Sequence, residues 1–124
     1  MTPEPRVVIL TVGLVPYVWF GLRDVLFHKR RRPSPWPERL LHLSLGLTLL
    51  TVVTHAFAGD RGVVLAGLVL FLAARVIDEF VYHRGLPAEE SSLHAKTHLG
   101  FMIFVIAWMS AERVARASSG IVIE

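Results

Sequence analysis

The chain has 124 residues, of which 53% are hydrophobic and 19% are charged. A helix that crosses a membrane needs about 20 mostly apolar residues, so four such helices with short loops would use nearly the whole length. Cysteine is absent and the formal net charge is only +3, which excludes disulfides and thiolate metal sites and gives no reason to expect a nucleic-acid partner.

Four apolar runs follow one another along the chain. They predict membrane helices at approximately residues 7–28, 38–58, 63–83 and 88–115. A basic, proline-rich loop follows the first run, a tight turn at 59–62 joins the second and third, and a break at 84–87 precedes the fourth. We therefore expect one all-α domain, residues 1–124, in the form of an integral membrane four-helix bundle.

Basic residues predict the orientation of these helices. The loop after the first helix contains residues 29–32, all basic, and Arg39, and the loop after the third contains Arg84 and Lys96. The turn after the second helix has Arg61 alone. Because cytoplasmic loops are enriched in lysine and arginine, we expect both termini outside and the two longer loops in the cytoplasm, in a bacterial inner membrane.

Histidines and carboxylates recur at a fixed spacing. Four of the six histidines have an acid four residues before them, and one such pair falls on each predicted helix. Because positions i and i+4 share a helix face, each pair can point at one place. In an up-and-down bundle, all four pairs lie at the cytoplasmic end. The pairs are Asp24/His28, Glu38/His42, Glu79/His83 and Glu90/His94.

Three further residues extend this candidate set. Asp78 and Glu89 each lie five residues before a histidine, and they replace the adjacent acid as ligands if the helices are rotated. His98 lies one turn beyond His94 on the same helix face. We expect it to be a further metal ligand or to orient one by hydrogen bonding.

The pairs also indicate an internal repeat. The pairs that end helix 1 and begin helix 2 match those that end helix 3 and begin helix 4. Pro37 and Pro87 precede the second pair in each case, where proline suits a first helical turn. The pattern predicts two helical hairpins in a pseudo-two-fold arrangement.

Carboxylate and imidazole ligands together suit iron, manganese or zinc. One pair per helix resembles the dimetal carboxylate four-helix bundles, the ferritin-like proteins among them, in which glutamates and Glu-x-x-His motifs project into the bundle core. This chain differs in having a spacing of four and a histidine on every helix, and its histidine-rich shell more closely resembles hemerythrin-like sites. The pattern implies two divalent metal ions, iron first with manganese or zinc as alternatives, balanced by four carboxylates in a medium of low dielectric constant.

These features predict a dimetal oxidoreductase of the lipid bilayer that acts on a lipid-soluble small molecule. A zinc-dependent membrane hydrolase is a variant. The alternatives are a divalent-metal binding or transport protein, a haem-binding electron-transfer protein with axial ligands such as His42 and His98, and a metal-free structural subunit. A homo-oligomer is compatible with each of them, and no catalytic residue is singled out.

Ordinary helix electrostatics offers another interpretation of these residues. The helix macrodipole favours acids in a first turn and cations in a last turn. That effect alone would account for Glu38, Glu89, Glu90, His28 and His83. Arg23 and Arg75 could form salt bridges with the acids. Asp24 and Glu79 are harder to explain in this way, because they lie near helix C-termini, where the dipole disfavours an acid.

The remaining aromatic and histidine residues have simpler roles in this interpretation. His55 lies at the opposite end of the second helix and is expected at the membrane interface. The aromatic residues expected to be interface anchors or lipid contacts are Trp19, Trp36, Trp108 and Tyr17.

Overall fold

The computed structural model describes the backbone at residues 4–31 and 34–120, and the side chains of these residues except 28–31. All of the described secondary structure is helical, so the prediction of four helices is confirmed. The helices are α1 (Pro5–Arg31), α2 (Trp36–Ala58), α3 (Arg61–Ile77) and α4 (Ala88–Ser118), and a π-helical segment at Asp78–Tyr82, here called the π turn, follows α3.

Three of the helices, α1, α2 and α4, are long and apolar enough to cross a membrane, which is consistent with a membrane protein. Helix α3 has 17 residues, so at 1.5 Å per residue it spans about 26 Å, slightly less than the hydrocarbon core of a bilayer. The fourth span, the bacterial inner membrane and the orientation stay predictions.

The chain divides into two compact units. The α1–α4 unit comprises Met1–His28 and Ala88–Glu124, and the α2–α3 unit comprises Lys29–Pro87. Within the units, α1 packs on α4 and α2 packs on α3, so the predicted pseudo-two-fold pair of hairpins, α1 with α2 and α3 with α4, is not confirmed. A single domain of four helices stays a prediction.

The α2–α3 unit is a hairpin closed by a tight turn. Gly59 ends α2 with a φ of 89°, a left-handed conformation that glycine adopts without strain. The carboxylate of Asp60 then accepts a hydrogen bond of 3.2 Å from the backbone N–H of Val63 and caps α3. Because the turn is so short, the first turn of α2 and the last turn of α3 lie at the same end of the hairpin. Its buried apolar residues are Leu45, Val52, Ala56, Val64, Leu68 and Phe71.

Small residues bring the helices of the α1–α4 unit close together. Gly13 lies against the side chain of Ala107, and Gly100 lies against the backbone of Tyr17. The ring of Tyr17 packs edge-on against Phe101, with centroids 5.5 Å apart. Close backbone approach of this kind is typical of packed membrane helices, where small residues line the interface.

Polar side-chain contacts join α1 to α4 at both ends of the α1–α4 unit. At one end, Arg6 Nη2 lies 3.2 Å from Glu112 Oε1. At the other end, Asp24 Oδ2 lies 3.0 Å from His94 Nδ1. These pairs show that α1 and α4 run antiparallel, with the end of α1 beside the beginning of α4.

The tryptophans differ in exposure. Trp19 and Trp36 are exposed, as expected of interface or lipid-facing residues, and Arg23 lies over the Trp19 ring. Trp108 is only 5% exposed, so its expected role as an interface anchor is wrong. The physical reason is helix phase, because Trp108 belongs to the same buried stripe of α4 as Phe104 and Ala111.

Candidate metal centre

The α2–α3 unit contains a compact group of potential metal ligands. Glu38 lies in the first turn of α2 and is fully buried, and His42 lies one turn further on the same face. His83 follows the π turn after α3 and is also buried. Glu38, His42 and His83 can each offer one ligand atom, and the three atoms all lie within 4.8 Å of one another.

The π turn determines which acid faces His83. The backbone N–H of His83 donates to the carbonyl oxygen of Asp78 at 3.1 Å, which is the five-residue hydrogen bond of a π-helix. This winding places Asp78 and His83 on one face, whereas Glu79 is exposed. Asp78, the alternate to Glu79, is therefore the acid that contacts His83, at a spacing of five.

Asp78 lies at the centre of a polar network and is fully buried. Its Oδ1 lies 3.1 Å from His42 Nε2 and 3.2 Å from His83 Nδ1. Its Oδ2 accepts a hydrogen bond of 3.1 Å from Arg75 Nη1. The salt bridge considered for Arg75 is thus present, and it holds the same carboxylate that contacts the two imidazoles.

The α1–α4 unit contains a second group of carboxylate and imidazole side chains. His94 is buried and contacts Asp24 through its Nδ1, and the rings of His94 and His98 pack edge to face with centroids 4.7 Å apart. Glu90, one turn before His94, is buried, whereas Glu89 is exposed. The structure thus brings Asp24, His94 and His98 together at one end of this unit, with Glu90 buried on the same helix.

Other predicted residues lie apart from these groups or outside the described side chains. The side chain of His28 is among those not described. His55 lies at the other end of the α2–α3 hairpin, where its Nδ1 is 3.6 Å from Asp60 Oδ2. Whether any of the candidate residues binds a metal stays a prediction.

Sequence spacing alone missed the contacts that join different helices. It paired Asp24 with His28, although the described partner of Asp24 is His94, on another helix. The antiparallel order of helices already placed both residues at one end, so this contact could have been anticipated. The sequence signal for the π turn is weaker, and consists of the spacing of five residues between Asp78 and His83.

Comparison with models of known protein families, with curated proteins and with solved structures finds no match to this chain.

Proposed function

We propose that this chain is a membrane metal protein that binds two divalent first-row metal ions and acts as an oxidoreductase on a lipid-soluble substrate. One ion would be held by Glu38, His42 and His83, and the other by the group around His94. The single observation that carries the proposal is the first of these groups, whose three ligand atoms lie within 4.8 Å of one another.

The ligand types of the first group favour iron. Two histidines and one carboxylate, with further coordination positions left for substrate or oxygen, form the ligand set of many non-haem iron oxygenases. The same set also occurs in zinc hydrolases, which keeps the hydrolase variant as the second candidate. Bound iron would supply redox chemistry, and bound zinc would supply an activated water molecule.

The charges of the first group also favour a cation. Glu38 and Asp78 are two buried carboxylates, and Arg75 contributes one positive charge at Asp78. A divalent ion beside them would offset the repulsion between two buried acids.

The α1–α4 unit offers the same ligand types. Asp24 contacts His94, His94 packs against His98, and Glu90 is buried one turn before His94. Because Asp24 contacts His94 Nδ1, the other ring nitrogen is the one that would ligate a metal. The two groups together supply the carboxylates and histidines that a dimetal protein requires.

The apolar helices support a membrane location and a lipophilic substrate. Large apolar side chains are exposed along α1, α2 and α4, as expected of lipid-facing helices. The π turn continues α3 without a break in helical geometry, which lengthens this segment toward a fourth span. We propose that both groups of ligands lie near the cytoplasmic face and receive substrate laterally from the bilayer.

Elemental analysis of detergent-purified protein tests the proposal. After growth with iron, manganese and zinc, we expect about two metal ions per chain in the wild type. Glu38→Gln should remove the ion of the first group. Asp60→Asn, at the other end of the same hairpin, should retain both ions and is the matched control.

Each alternative outcome has a defined meaning. Wild-type protein that remains metal-free under these conditions would contradict the proposal. Zinc as the native metal would favour the hydrolase, rapid exchange of bound metal would favour a transport protein, and a haem absorption band would favour an electron-transfer protein.

A further inference from the structure

Asp78 contacts both histidines of the first ligand group through one carboxylate oxygen and Arg75 through the other. Its Oδ1 lies between His42 Nε2 and His83 Nδ1, at 3.1 and 3.2 Å. Its Oδ2 is held by the guanidinium of Arg75 at 3.1 Å. Both carboxylate oxygens therefore have donors, and the residue is better placed to orient ligands than to be one.

The contacts of His83 define its tautomer. Its Nδ1 lies 3.0 Å from the backbone carbonyl oxygen of Asp78, and a carbonyl oxygen can only accept a hydrogen bond. Nδ1 must therefore carry the hydrogen. In the neutral ring the lone pair is then on Nε2, the nitrogen that a metal ion would use.

The contact of His42 defines the opposite tautomer. Its Nε2 lies 3.1 Å from Asp78 Oδ1. The salt bridge to Arg75 favours the ionised carboxylate, which can only accept. Nε2 of His42 therefore carries the hydrogen, and the lone pair of the neutral ring is on Nδ1.

From these contacts we propose that Asp78 is the positioning residue of the metal site, and that it leaves the lone pairs of Nδ1 of His42 and Nε2 of His83 to ligate an ion shared with Glu38. A carboxylate that receives the second N–H of a ligating histidine holds the ring in place and makes it a stronger ligand. Here one carboxylate would do so for two rings at once. The π turn allows the carboxylate to reach the second ring, because it places Asp78 beside His83. The inference rests on the proposed metal site.

Nitrogen NMR of the wild-type protein tests the tautomers without any substitution of Asp78. Protein labelled with ¹⁵N-histidine would be studied metal-free, at a pH where the rings are neutral. Each signal would be assigned by its loss in His42→Gln or His83→Gln. We expect hydrogen on Nδ1 of His83 and on Nε2 of His42, and the reverse tautomer at either ring would overturn the inference.

Cobalt binding tests the consequence for the metal. The part of the Co²⁺ absorption spectrum that Glu38→Gln removes belongs to this site. Asp78→Asn should weaken Co²⁺ binding there by about 10- to 100-fold and shift the bands that remain at saturation. Asp60→Asn, whose carboxylate caps α3 at the far end, should leave both affinity and spectrum unchanged.

The outcomes separate this inference from the proposed function. A wild type that binds neither Co²⁺ nor the native metals contradicts the metal site itself. A wild type that binds, with Asp78→Asn equal to it in affinity and spectrum, overturns only the role of Asp78. If Asp78→Asn fails to fold, the tautomers measured in the wild type decide.

Discussion

His98 shows how much a single contact adds to a sequence pattern. Spacing placed it one turn beyond His94, and the structure packs the two rings edge to face, with centroids 4.7 Å apart. A ring in this position can ligate a metal held by His94 or restrain the ring that does. Edge-to-face packing also stabilises aromatic pairs on its own, so contact and metal binding have to be separated by experiment.

We predict that His98→Ala lowers metal occupancy of the α1–α4 unit while the protein still inserts into the membrane. The reason is the loss of either a ligand or the ring that restrains His94. His55→Ala, at the other end of the α2–α3 hairpin, is the control and should leave metal content unchanged. Equal effects of both substitutions on metal content would show that general helix packing had been mistaken for a site.

At the scale of the helices, close approach of α1 and α4 depends on glycine. A Cβ atom added at Gly100 would lie 2.8 Å from Tyr17 Cα and 2.9 Å from Tyr17 N. These are backbone atoms of α1, so the clash cannot be relieved by a side-chain rotation. The two helices would have to separate, and their packing would be lost over several turns.

Gly100→Ala should therefore lower the free energy of unfolding by about 1–3 kcal/mol, the usual range for an overpacked site. Circular dichroism during unfolding in mixed detergent micelles would measure the change. Gly46→Ala is the matched control, because a Cβ atom at Gly46 on α2 meets nothing within 4 Å. Equal stability of the two variants would contradict the close packing of α1 on α4.

The π turn is the other feature at this scale, because it changes which residues along the chain share a helix face. In an α-helix, residues four apart share a face, which favoured Glu79 as the partner of His83. The wider π winding brings positions five apart into phase, so Asp78 replaces Glu79 beside His83. A single altered turn thus determines which acid contacts His83.

At the scale of the whole chain, the number of spans depends on whether α3 crosses the membrane. The α2–α3 unit is an antiparallel hairpin. If both of its helices span the membrane, the chain enters α2 and leaves the π turn on the same side. The basic residues at 29–32 predict that this side is the cytoplasm. Helix α3 alone is slightly short for a span, and the π turn extends it.

Reporter fusions after residue 34 and after residue 86 should both report the cytoplasmic side, and a fusion in the turn at 59–60 should report the opposite side. This result is expected because a spanning α2–α3 hairpin returns the chain to the face where it entered. Fusions after 34 and 86 on opposite sides would mean that α3 does not span the membrane. That result would contradict a spanning hairpin with its ligands at one membrane face.

The sequence by itself determined the helical class, the four helices and the residues from which a site could be built. It could do so because long apolar runs, proline and glycine breaks and i, i+4 spacing are local properties of the chain. It also favoured the order of helices that places Asp24 and His94 at one end. It could not decide between Asp78 and Glu79, or between Glu89 and Glu90, because adjacent residues differ by about 100° around a helix.

Tertiary structure determined the burial of these acids and the contacts between helices. It buried Asp78 and Glu90, left Glu79 and Glu89 exposed, and placed Trp108 in a buried stripe instead of at the lipid interface. The physical reason is that helix phase depends on which neighbour a face packs against, and a local change of winding such as the π turn resets that phase. Such information is absent from spacing alone, since it arises only when the helices meet.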